Sequence, residues 1–125
     1  MIQVYCYSRC STCRKALKWM DEKGLAYTVR DIQEDHPDEE TLRACHKKTG
    51  LPLRKLFNTS GKQYRELGLS QKLKTMSEED QYALLASDGM LVKRPFLISG
   101  DLVLVGFHEE EWAGALLSGR EPADA

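Results

Sequence analysis

The sequence predicts an α/β fold in which a βαβ unit and a C-terminal ββα unit are separated by a helical insertion. Three observations lead to this prediction. A strand–helix–strand pattern fills about the first 32 residues, short helical patterns fill residues 51–89, and a hairpin pattern followed by a helix ends near residue 117. With 125 residues, of which 42% are hydrophobic, the chain has enough material for one domain with one real core.

The first part of the chain has the pattern of a βαβ unit. Residues 2–6 alternate and are rich in β-forming side chains, which predicts a strand. Residues 11–23 place apolar side chains at i, i+3, i+4 and i+7, which predicts an amphipathic helix that Gly24 ends. Residues 26–32 predict a second strand. Two strands joined in this way should be parallel, with a right-handed crossover.

The remaining elements are a helix, the insertion and a ββα end. An early proline and an acidic first turn in residues 35–40 indicate the start of a helix that ends near Gly50. The insertion reads as several short helices because turn residues interrupt it. The last two strands and the last helix are predicted at residues 95–98, 102–105 and 108–117.

This order of elements is that of a thioredoxin-like fold with additional helices between its halves. We expect a single domain over residues 1–117 and a loose tail over residues 118–125. The net charge of −1 argues against nucleic-acid binding by bulk charge, and no apolar stretch reaches the ~18–20 residues of a membrane span. The N-terminus does not resemble a signal peptide, so the expected location is the reducing cytoplasm.

A CxxC motif at the predicted strand-to-helix turn, Cys10-Ser11-Thr12-Cys13, is the main chemical signal. Beside a βαβ pattern, this motif is typical of a thioredoxin-like redox site. A helix N-terminus stabilises a thiolate, and residues 1–30 add six basic against two acidic side chains. We therefore predict that Cys10 is the exposed attacking thiolate. Cys13, on the apolar helix face, is predicted to be the shielded resolving thiol.

Other interpretations of the cysteines stay open at this point. The pair could be two incidental, half-buried thiols. Cys6, Cys10 and Cys13 have a C-x3-C-x2-C spacing that can hold an iron–sulfur cluster, although Cys6 continues the strand alternation and should point into the sheet. A zinc site would need a second ligand pair, and Cys45 is expected to be a small packing residue. We predict no metal site, and we expect solvated or capping roles for the histidines His36, His46 and His108.

The dipeptide Arg94-Pro95 opens the third predicted strand, where a proline is tolerated because it need not donate to the ladder. A cis bond at this position would bring Arg94 beside Cys10. Only about 5–6% of X-Pro bonds are cis, so the residue pattern alone leaves a solvated arginine as the alternative.

Five segments in chain order carry a resemblance to a known family. They are YSRCSTCRKA at residues 7–16, GLPLRKLFNT at 50–59, YRELGL at 64–69, LVKRPFL at 91–97 and VGFHEE at 105–110. The segments lie in the expected order, and the resemblance covers roughly residues 2–117. The chain resembles the ArsC/Spx family of thioredoxin-fold proteins, which includes arsenate reductases and redox-sensing transcriptional regulators.

The resemblance implies a mixed four-stranded sheet, Cys10 as the nucleophile and Arg94 before a cis proline that faces it. It implies a small oxyanion or disulfide substrate, no bound cofactor, and an external thiol reductant such as glutathione, glutaredoxin or thioredoxin. Arsenate is a phosphate-like anion, which suits a helix N-terminus and guanidinium groups. The residues expected to contact the substrate are Ser11, Thr12, Arg14, Arg54, Asn58 and Pro95.

The chain departs from the reductases at the anion clamp. Arsenate reductases of the family typically present three arginines, of which Arg94 matches one. Asn58 stands at the second position and Gly106 at or near the third. The CxxC motif and residues 106–110 resemble the regulator branch, in which a disulfide switches binding to the RNA polymerase α subunit. We predict a monomeric thiol-dependent oxidoreductase with no nucleic-acid or membrane partner, and such a regulator as the alternative.

Overall fold

A computed structural model describes residues 1–117, so the tail predicted at residues 118–125 lies outside the described residues. The strands are β1 (Gln3–Cys6), β2 (Thr28–Asp31), β3 (Phe96–Ser99) and β4 (Leu102–Val105). The helices are α1 (Ser11–Glu22), α2 (Glu39–Thr49), α3 (Lys62–Glu66), α4 (Leu69–Lys72), α5 (Glu78–Ser87) and α6 (Glu109–Leu116). Single 3₁₀ turns cover Leu53–Leu56 and Gly89–Leu91.

The four strands form one mixed sheet in the order β2-β1-β3-β4. β1 pairs in parallel with β2, as the βαβ pattern predicts, and antiparallel with β3. β3 and β4 form the expected antiparallel hairpin. The predicted thioredoxin-like fold with a helical insertion between its halves is therefore confirmed. Among the described residues, no helix combines the length and apolar character needed to cross a membrane.

The sheet separates two hydrophobic cores, because alternate residues of a strand point to opposite faces. Val4 and Cys6 pack under α1 and α6, whereas Tyr5 between them packs on the other face. We call the first the α1/α6 core; its buried members are Val4, Cys6, Cys13, Ala16, Trp19, Met20, Leu25, Leu97, Leu104, Trp112 and Leu116. We call the second the insertion core; it includes Ile32, Leu42, Cys45, Leu56, Phe57, Leu85 and Phe96.

The sequence places the start of helix α2 within residues 35–40, and in the structure the helix begins at Glu39, near the end of that range. Asp35 pairs with Arg30 at 2.8 Å, so it is held at the end of β2 rather than in the helix. Asp38 is the N-cap, and its carboxylate accepts a hydrogen bond from the Thr41 N–H at 2.8 Å. At the other end, Gly50 adopts a left-handed φ of 68°, as a C-terminal glycine often does.

Backbone hydrogen bonds join the insertion to the segment that precedes β3. The Asn58 N–H donates to the Leu91 carbonyl at 2.7 Å, and the Lys93 N–H donates to the Leu56 carbonyl at 2.8 Å. Gly89 packs so closely on the residue that follows β2 that an added Cβ would lie 1.7 Å from the Ile32 carbonyl oxygen. These contacts fix the position of residues 56–58 relative to Arg94.

Candidate active site

Cys10 lies at the N-terminus of α1, at the point where the chain turns after β1. The Cys10 N–H donates to the Tyr7 carbonyl at 3.0 Å, which closes the turn. Its carbonyl then accepts the first helical hydrogen bond, from Arg14 at 3.1 Å. The Cys10 Sγ caps the helix, accepting a hydrogen bond from the Cys13 N–H at 3.3 Å. The reactive position predicted from the CxxC motif is therefore a half-buried thiol at a helix N-terminus.

Cys13 lies one turn further along α1, on the helix face that packs against the sheet. Its side chain is only 1% exposed and packs in the same core as Ala16 and Met20. Its thiol contacts the Cys10 thiol, and all four cysteines of the chain are free. The two thiols therefore have the unequal exposure that the helical pattern predicts.

The Cys10 thiol opens into a cavity of about 220 Å³, which we call the Cys10 cavity. This volume is below that of most sites for drug-sized ligands, so the cavity suits a small oxyanion or the reacting end of a larger molecule. The lining residues are Cys10, Thr12, Asn58, Ser60, Lys93, Arg94, Gly106, Phe107 and His108.

Arg94 is held at this cavity by its own neighbours. The peptide bond between Arg94 and Pro95 is cis. The guanidinium Nη1 donates to the carbonyls of Met90 at 3.2 Å and Val92 at 3.4 Å. The guanidinium carbon also lies 5.3 Å from the centre of the Tyr7 ring, within cation–π range. The arginine is thus a positioned cation rather than the solvated side chain that the residue pattern left open.

The pKa of the Cys10 thiol is raised above its ordinary value, contrary to the expectation of a thiolate at neutral pH. Burial is the main cause, because it removes water from the charged form. The hydrogen bond from the Cys13 N–H and the positive charge of Arg94 act in the opposite direction and lower this pKa. Reaction at Cys10 therefore includes the loss of a proton from a thiol.

The pKa of the Cys13 thiol is raised much further. The main cause is a hydrogen bond with the Cys6 thiol, followed by burial. The backbone N–H of Tyr7 lowers this pKa, but it does not reverse the shift. Cys13 therefore stays protonated in the reduced protein, which favours Cys10 as the first thiol to react.

Four of the predicted site residues line the same cavity. Cys10 and Thr12 come from the start of α1, Arg94 comes from the segment before β3, and Asn58 comes from the insertion. Asn58 reaches the cavity because its backbone N–H is bonded to the Leu91 carbonyl. Tertiary packing thus brings together three segments that are far apart in the sequence.

The other predicted contact residues lie elsewhere. Ser11 is exposed on the first turn of α1, outside the cavity lining. Pro95 is buried, and its carbonyl accepts a hydrogen bond from the Gly106 N–H at 2.8 Å. Arg14 lines a separate cavity beside Cys13. Arg54 lines a neighbouring cavity, so neither arginine replaces a missing member of the anion clamp at Cys10.

This neighbouring cavity, of about 560 Å³, shares Lys93 and His108 with the Cys10 cavity. Arg54 and Lys55 add two positive charges to its lining, and Glu111 adds one negative charge. Within residues 1–117, none of Arg54, Lys55 and Lys93 forms an ion pair with an acidic side chain. A substrate larger than an oxyanion could therefore extend from Cys10 into a positively charged space.

The sequence-based prediction missed several residues that line the Cys10 cavity. Lys93 could have been included because it precedes Arg94 directly. Gly106 adopts a φ of 75°, and a Cβ there would lie 3.2 Å from the Lys93 Cε, so a glycine suits both the backbone and the space. The remaining missed residues are Ser60, Phe107 and His108.

Of the histidines, His46 differs from the expected solvated or capping group, whereas His108 is exposed as expected. His46 is half-buried and uses both ring nitrogens: Nε2 lies 2.9 Å from the Leu51 carbonyl and Nδ1 lies 2.6 Å from the Tyr82 hydroxyl. Because a carbonyl can only accept, Nε2 donates and Nδ1 accepts. His108 occupies the N-cap position of α6 without a side-chain capping bond and lines the Cys10 cavity instead.

The two remaining cysteines are both buried. Cys45 packs in the insertion core with Leu42, as its predicted role of a small packing residue requires. Cys6 points into the α1/α6 core, as the strand alternation predicts, but there it meets Cys13. In the part of the chain that the structure describes, no group of three or more histidine, cysteine or acidic side chains is arranged to hold a metal ion.

Comparison with known proteins places the chain among small thioredoxin-fold proteins. The sequence model described as ArsC family matches residues 5–115. The uncharacterized protein YusI of Bacillus subtilis (strain 168) is 52% identical over 108 residues, which cover 86% of this chain and 92% of YusI. The global transcriptional regulator Spx of Staphylococcus haemolyticus (strain JCSC1435) is 26% identical over 111 residues, covering 89% of this chain and 83% of Spx.

Solved structures give the same result. An ArsC family related protein from Bacteroides fragilis superimposes with a TM-score of 0.87 at 52% identity, covering 89% of this chain and 93% of the other. A possible arsenate reductase from Streptococcus mutans UA159 superimposes with a TM-score of 0.83 at 40% identity, covering 89% and 96%.

Proposed function

The chain belongs to the ArsC family, and from this premise we propose that it is a thiol-dependent oxidoreductase in which Cys10 attacks the substrate and Cys13 resolves the product. The single observation that carries this proposal is the Cys10 cavity, where a half-buried thiol at a helix N-terminus faces Arg94 and contacts a second, shielded thiol. An external thiol of the reducing cytoplasm would return the protein to its starting state.

With a disulfide substrate, the reaction consists of two exchanges. Cys10 loses its proton, and its Sγ attacks one substrate sulfur, so that the other substrate sulfur leaves as a thiol. Cys13 then loses its proton and attacks the Cys10 Sγ, which releases the second substrate thiol and leaves a Cys10–Cys13 disulfide. The substrate gains two electrons and the protein loses two. Two molecules of a small thiol restore the reduced pair.

With arsenate, the same two thiols supply the electrons. The Cys10 Sγ attacks arsenic and displaces water after proton transfer. Attack of Cys13 on the Cys10 Sγ leaves the bonding electron pair on arsenic, which becomes arsenite. Such an anion needs positive charge around its oxygens. Arg94 and Lys93 line the Cys10 cavity, and Asn58 adds a neutral polar group.

The charge distribution favours an anionic disulfide over arsenate as the substrate. Only one arginine lines the Cys10 cavity among the described residues, so the oxyanion clamp is weaker than a set of three. Three basic residues, Arg54, Lys55 and Lys93, instead line the neighbouring cavity, where they outnumber the one acidic lining residue, Glu111. Carboxylates attached to a disulfide could reach these basic residues while the sulfur lies at Cys10.

A second candidate function is supported by the likeness to Spx, the global transcriptional regulator named above. In that case the Cys10–Cys13 disulfide would control binding to the RNA polymerase α subunit, rather than reduce a substrate. Both functions use the same reversible disulfide. Turnover and complex formation are therefore the measurements that separate them.

We test the proposal by following glutathione oxidation with arsenate, a neutral disulfide and an anionic disulfide as substrates. Wild-type protein should turn over at least one of them. Cys10→Ser should abolish this turnover, whereas Cys13→Ser should leave the first attack intact and accumulate an adduct that intact mass and peptide mapping place on Cys10. Cys45→Ser is the matched control and should behave as wild type.

Two results would contradict the proposal. An adduct on Cys13 in a Cys10-containing protein would reverse the assigned roles. Absence of turnover with every substrate, together with a redox-dependent complex with the RNA polymerase α subunit, would favour the regulator.

Arg94→Gln tests the cation at the cavity. Because the charge of Arg94 lowers the pKa of Cys10, its loss should move the pH profile of Cys10 alkylation to higher pH. An unchanged profile would show that this arginine does not assist ionisation of the thiol.

A further inference from the structure

We propose that Cys6 is a third redox-active thiol. It attacks Cys13 in the Cys10–Cys13 disulfide, so that a Cys6–Cys13 disulfide forms and Cys10 returns to the free thiol. This inference rests on the proposed function, because the first disulfide is formed when Cys10 and Cys13 reduce a substrate. It assigns a chemical role to a residue that the two-thiol reaction does not use.

The three sulfurs are arranged with Cys13 in the middle. The Cys13 N–H donates to the Cys10 Sγ at 3.3 Å, and the Cys13 side chain packs in the same core and lines the same cavity as Cys6. Cys10 lines the Cys10 cavity, which Cys6 and Cys13 do not line. Cys6 and Cys13 together line a different cavity of about 340 Å³, which Cys10 does not line. We call this second space the Cys6 cavity.

The fold explains why Cys6 and Cys13 meet. Cys6 is the last residue of β1, and its side chain points to the face of the sheet that α1 covers. Cys13 lies in the first turn of α1 and points down onto the same face. Both side chains are almost fully buried, Cys6 at 5% and Cys13 at 1% exposure. The two thiols therefore belong to one packed core.

The exchange conserves electrons. Cys6 loses its proton, and its Sγ attacks the Sγ of Cys13 in the Cys10–Cys13 disulfide. The bond between Cys10 and Cys13 breaks, its electron pair leaves with the Cys10 Sγ, and Cys10 takes up a proton. The product is a Cys6–Cys13 disulfide and a free Cys10 thiol. No oxidant or reductant is consumed, since one disulfide replaces another.

Two groups assist the departure of the leaving sulfur. Cys10 leaves at a helix N-terminus, where the Cys13 N–H donates to its Sγ and the positive charge of Arg94 lowers its pKa, although burial raises this pKa overall. Arg14 lines the Cys6 cavity and places a positive charge near the attacking sulfur, although Asp31 also lines it.

An ordinary packing role is the alternative for any buried cysteine. Cys45 provides the comparison within the same chain: it is 3% exposed and packs in the insertion core, whose described members include no other cysteine. Cys6 is 5% exposed, but it shares its core and a cavity with Cys13. This shared environment distinguishes a thiol placed for disulfide exchange from one that only packs.

The first test uses Cys10→Ser and needs no substrate. The reduced variant is treated with diamide, which oxidises adjacent thiol pairs, and its free thiols are then blocked in acid. We expect a monomeric product that has lost two thiols. Trypsin cleaves after Arg9 and Arg14, so a Cys6–Cys13 disulfide links the peptides of residues 1–9 and 10–14. Recovery of both peptides unlinked would overturn the proposal.

The second test follows the exchange in the wild-type protein. A Cys10–Cys13 disulfide stays within the peptide of residues 10–14, whereas the exchanged product links it to residues 1–9 with Cys10 carrying the blocking group. After addition of one equivalent of a disulfide substrate, we expect the Cys10–Cys13 disulfide to form first. Its amount should then fall while the amount of the Cys6–Cys13 disulfide rises. Persistence of the Cys10–Cys13 disulfide alone would contradict the exchange.

Controls separate this inference from the proposed function. Cys6→Ala should still form the Cys10–Cys13 disulfide, and its far-UV circular dichroism establishes that it is folded. Cys45→Ala should give the wild-type peptide pattern in both tests. If the proposed function fails, substrates leave wild-type Cys10 unmodified while diamide still links Cys6 and Cys13 in Cys10→Ser. If only this inference fails, turnover continues and the linked peptides are absent.

Discussion

The two cores on opposite faces of the sheet each contain a deeply buried cysteine, yet only one of them is placed for chemistry. Cys13 in the α1/α6 core is 1% exposed and Cys45 in the insertion core is 3% exposed. Cys13 donates its N–H to the Cys10 Sγ and shares its core and a cavity with Cys6, whereas Cys45 packs with aliphatic neighbours such as Leu42 in α2. Burial alone therefore does not predict the chemistry of a thiol; its neighbours decide it.

The two cores also contribute differently to the Cys10 cavity. The α1/α6 core holds α1 against the sheet and so sets the depth and contacts of Cys10 and Cys13. The insertion core carries the segment around Phe57, from which Asn58 projects into the cavity. One core holds the sulfur that we propose as the nucleophile, and the other positions Asn58 in the cavity that this sulfur lines.

The largest effect that we predict concerns the nucleophile. Cys10→Ser should lower turnover of the preferred substrate by at least about a thousandfold, because no other exposed thiol can replace it. Cys45→Ser, in the other core, should retain turnover. Glutathione-coupled kinetics on the two variants measure this difference. Comparable losses of turnover in both variants would contradict the proposed difference between the two cores.

A second prediction removes packing from the insertion core only. Leu42 is fully buried beside Cys45, so Leu42→Ala should lower the free energy of unfolding by about 2–5 kcal/mol. The rate of Cys10 alkylation under native conditions should stay near that of wild type, since α1 packs on the opposite face. Urea unfolding and iodoacetamide kinetics provide the two readouts. A large change in Cys10 reactivity would show that the cores are coupled.

The smallest predicted effect is a pH dependence of stability. Burial raises the pKa of Cys45 above its ordinary value of 9.0. The unfolded chain therefore loses this proton first, so the stabilisation is complete below about pH 9 and is lost as pH rises towards the folded pKa. In that window the slope is at most about 1.4 kcal/mol per pH unit for one thiol.

Cys45→Ala isolates this contribution from other groups that titrate in the same range. Its free energy of unfolding should decrease less than that of wild type between about pH 8 and about pH 10. Urea unfolding under reducing conditions at both pH values measures the two decreases. Equal decreases would mean that Cys45 ionises as easily in the folded protein as in the unfolded chain.

Much of the fold could be predicted because local patterns encode it. The i, i+3, i+4, i+7 spacing around Cys13 defines both the extent of α1 and the buried face, and the structure agrees within one residue at its C-terminal end. The alternation in residues 2–6 predicts that Cys6 points into a core. The start of α2 was less accurate, since the pairing of Asp35 with Arg30 is a tertiary contact.

The candidate site was predicted only in part for the same reason. The CxxC motif predicted the paired thiols Cys10 and Cys13, but Arg14 and Arg54, which the family resemblance implied as substrate contacts, both line other cavities. Lys93 was missed although it lines the Cys10 cavity. Distances between segments far apart in the chain depend on packing, which no local pattern records.

The sequence by itself determined the α/β order of elements, the helix that begins beside Cys10 and the unequal exposure of the two CxxC thiols, because each follows from short-range periodicity and capping. The tertiary structure alone decided that Arg94 and Asn58 share a cavity with Cys10, that burial raises the pKa of this thiol, and that Cys6 and Cys13 share a core and a second cavity. Desolvation and contact between distant segments arise only when the helices close over the sheet, and they set the chemistry of the sulfurs.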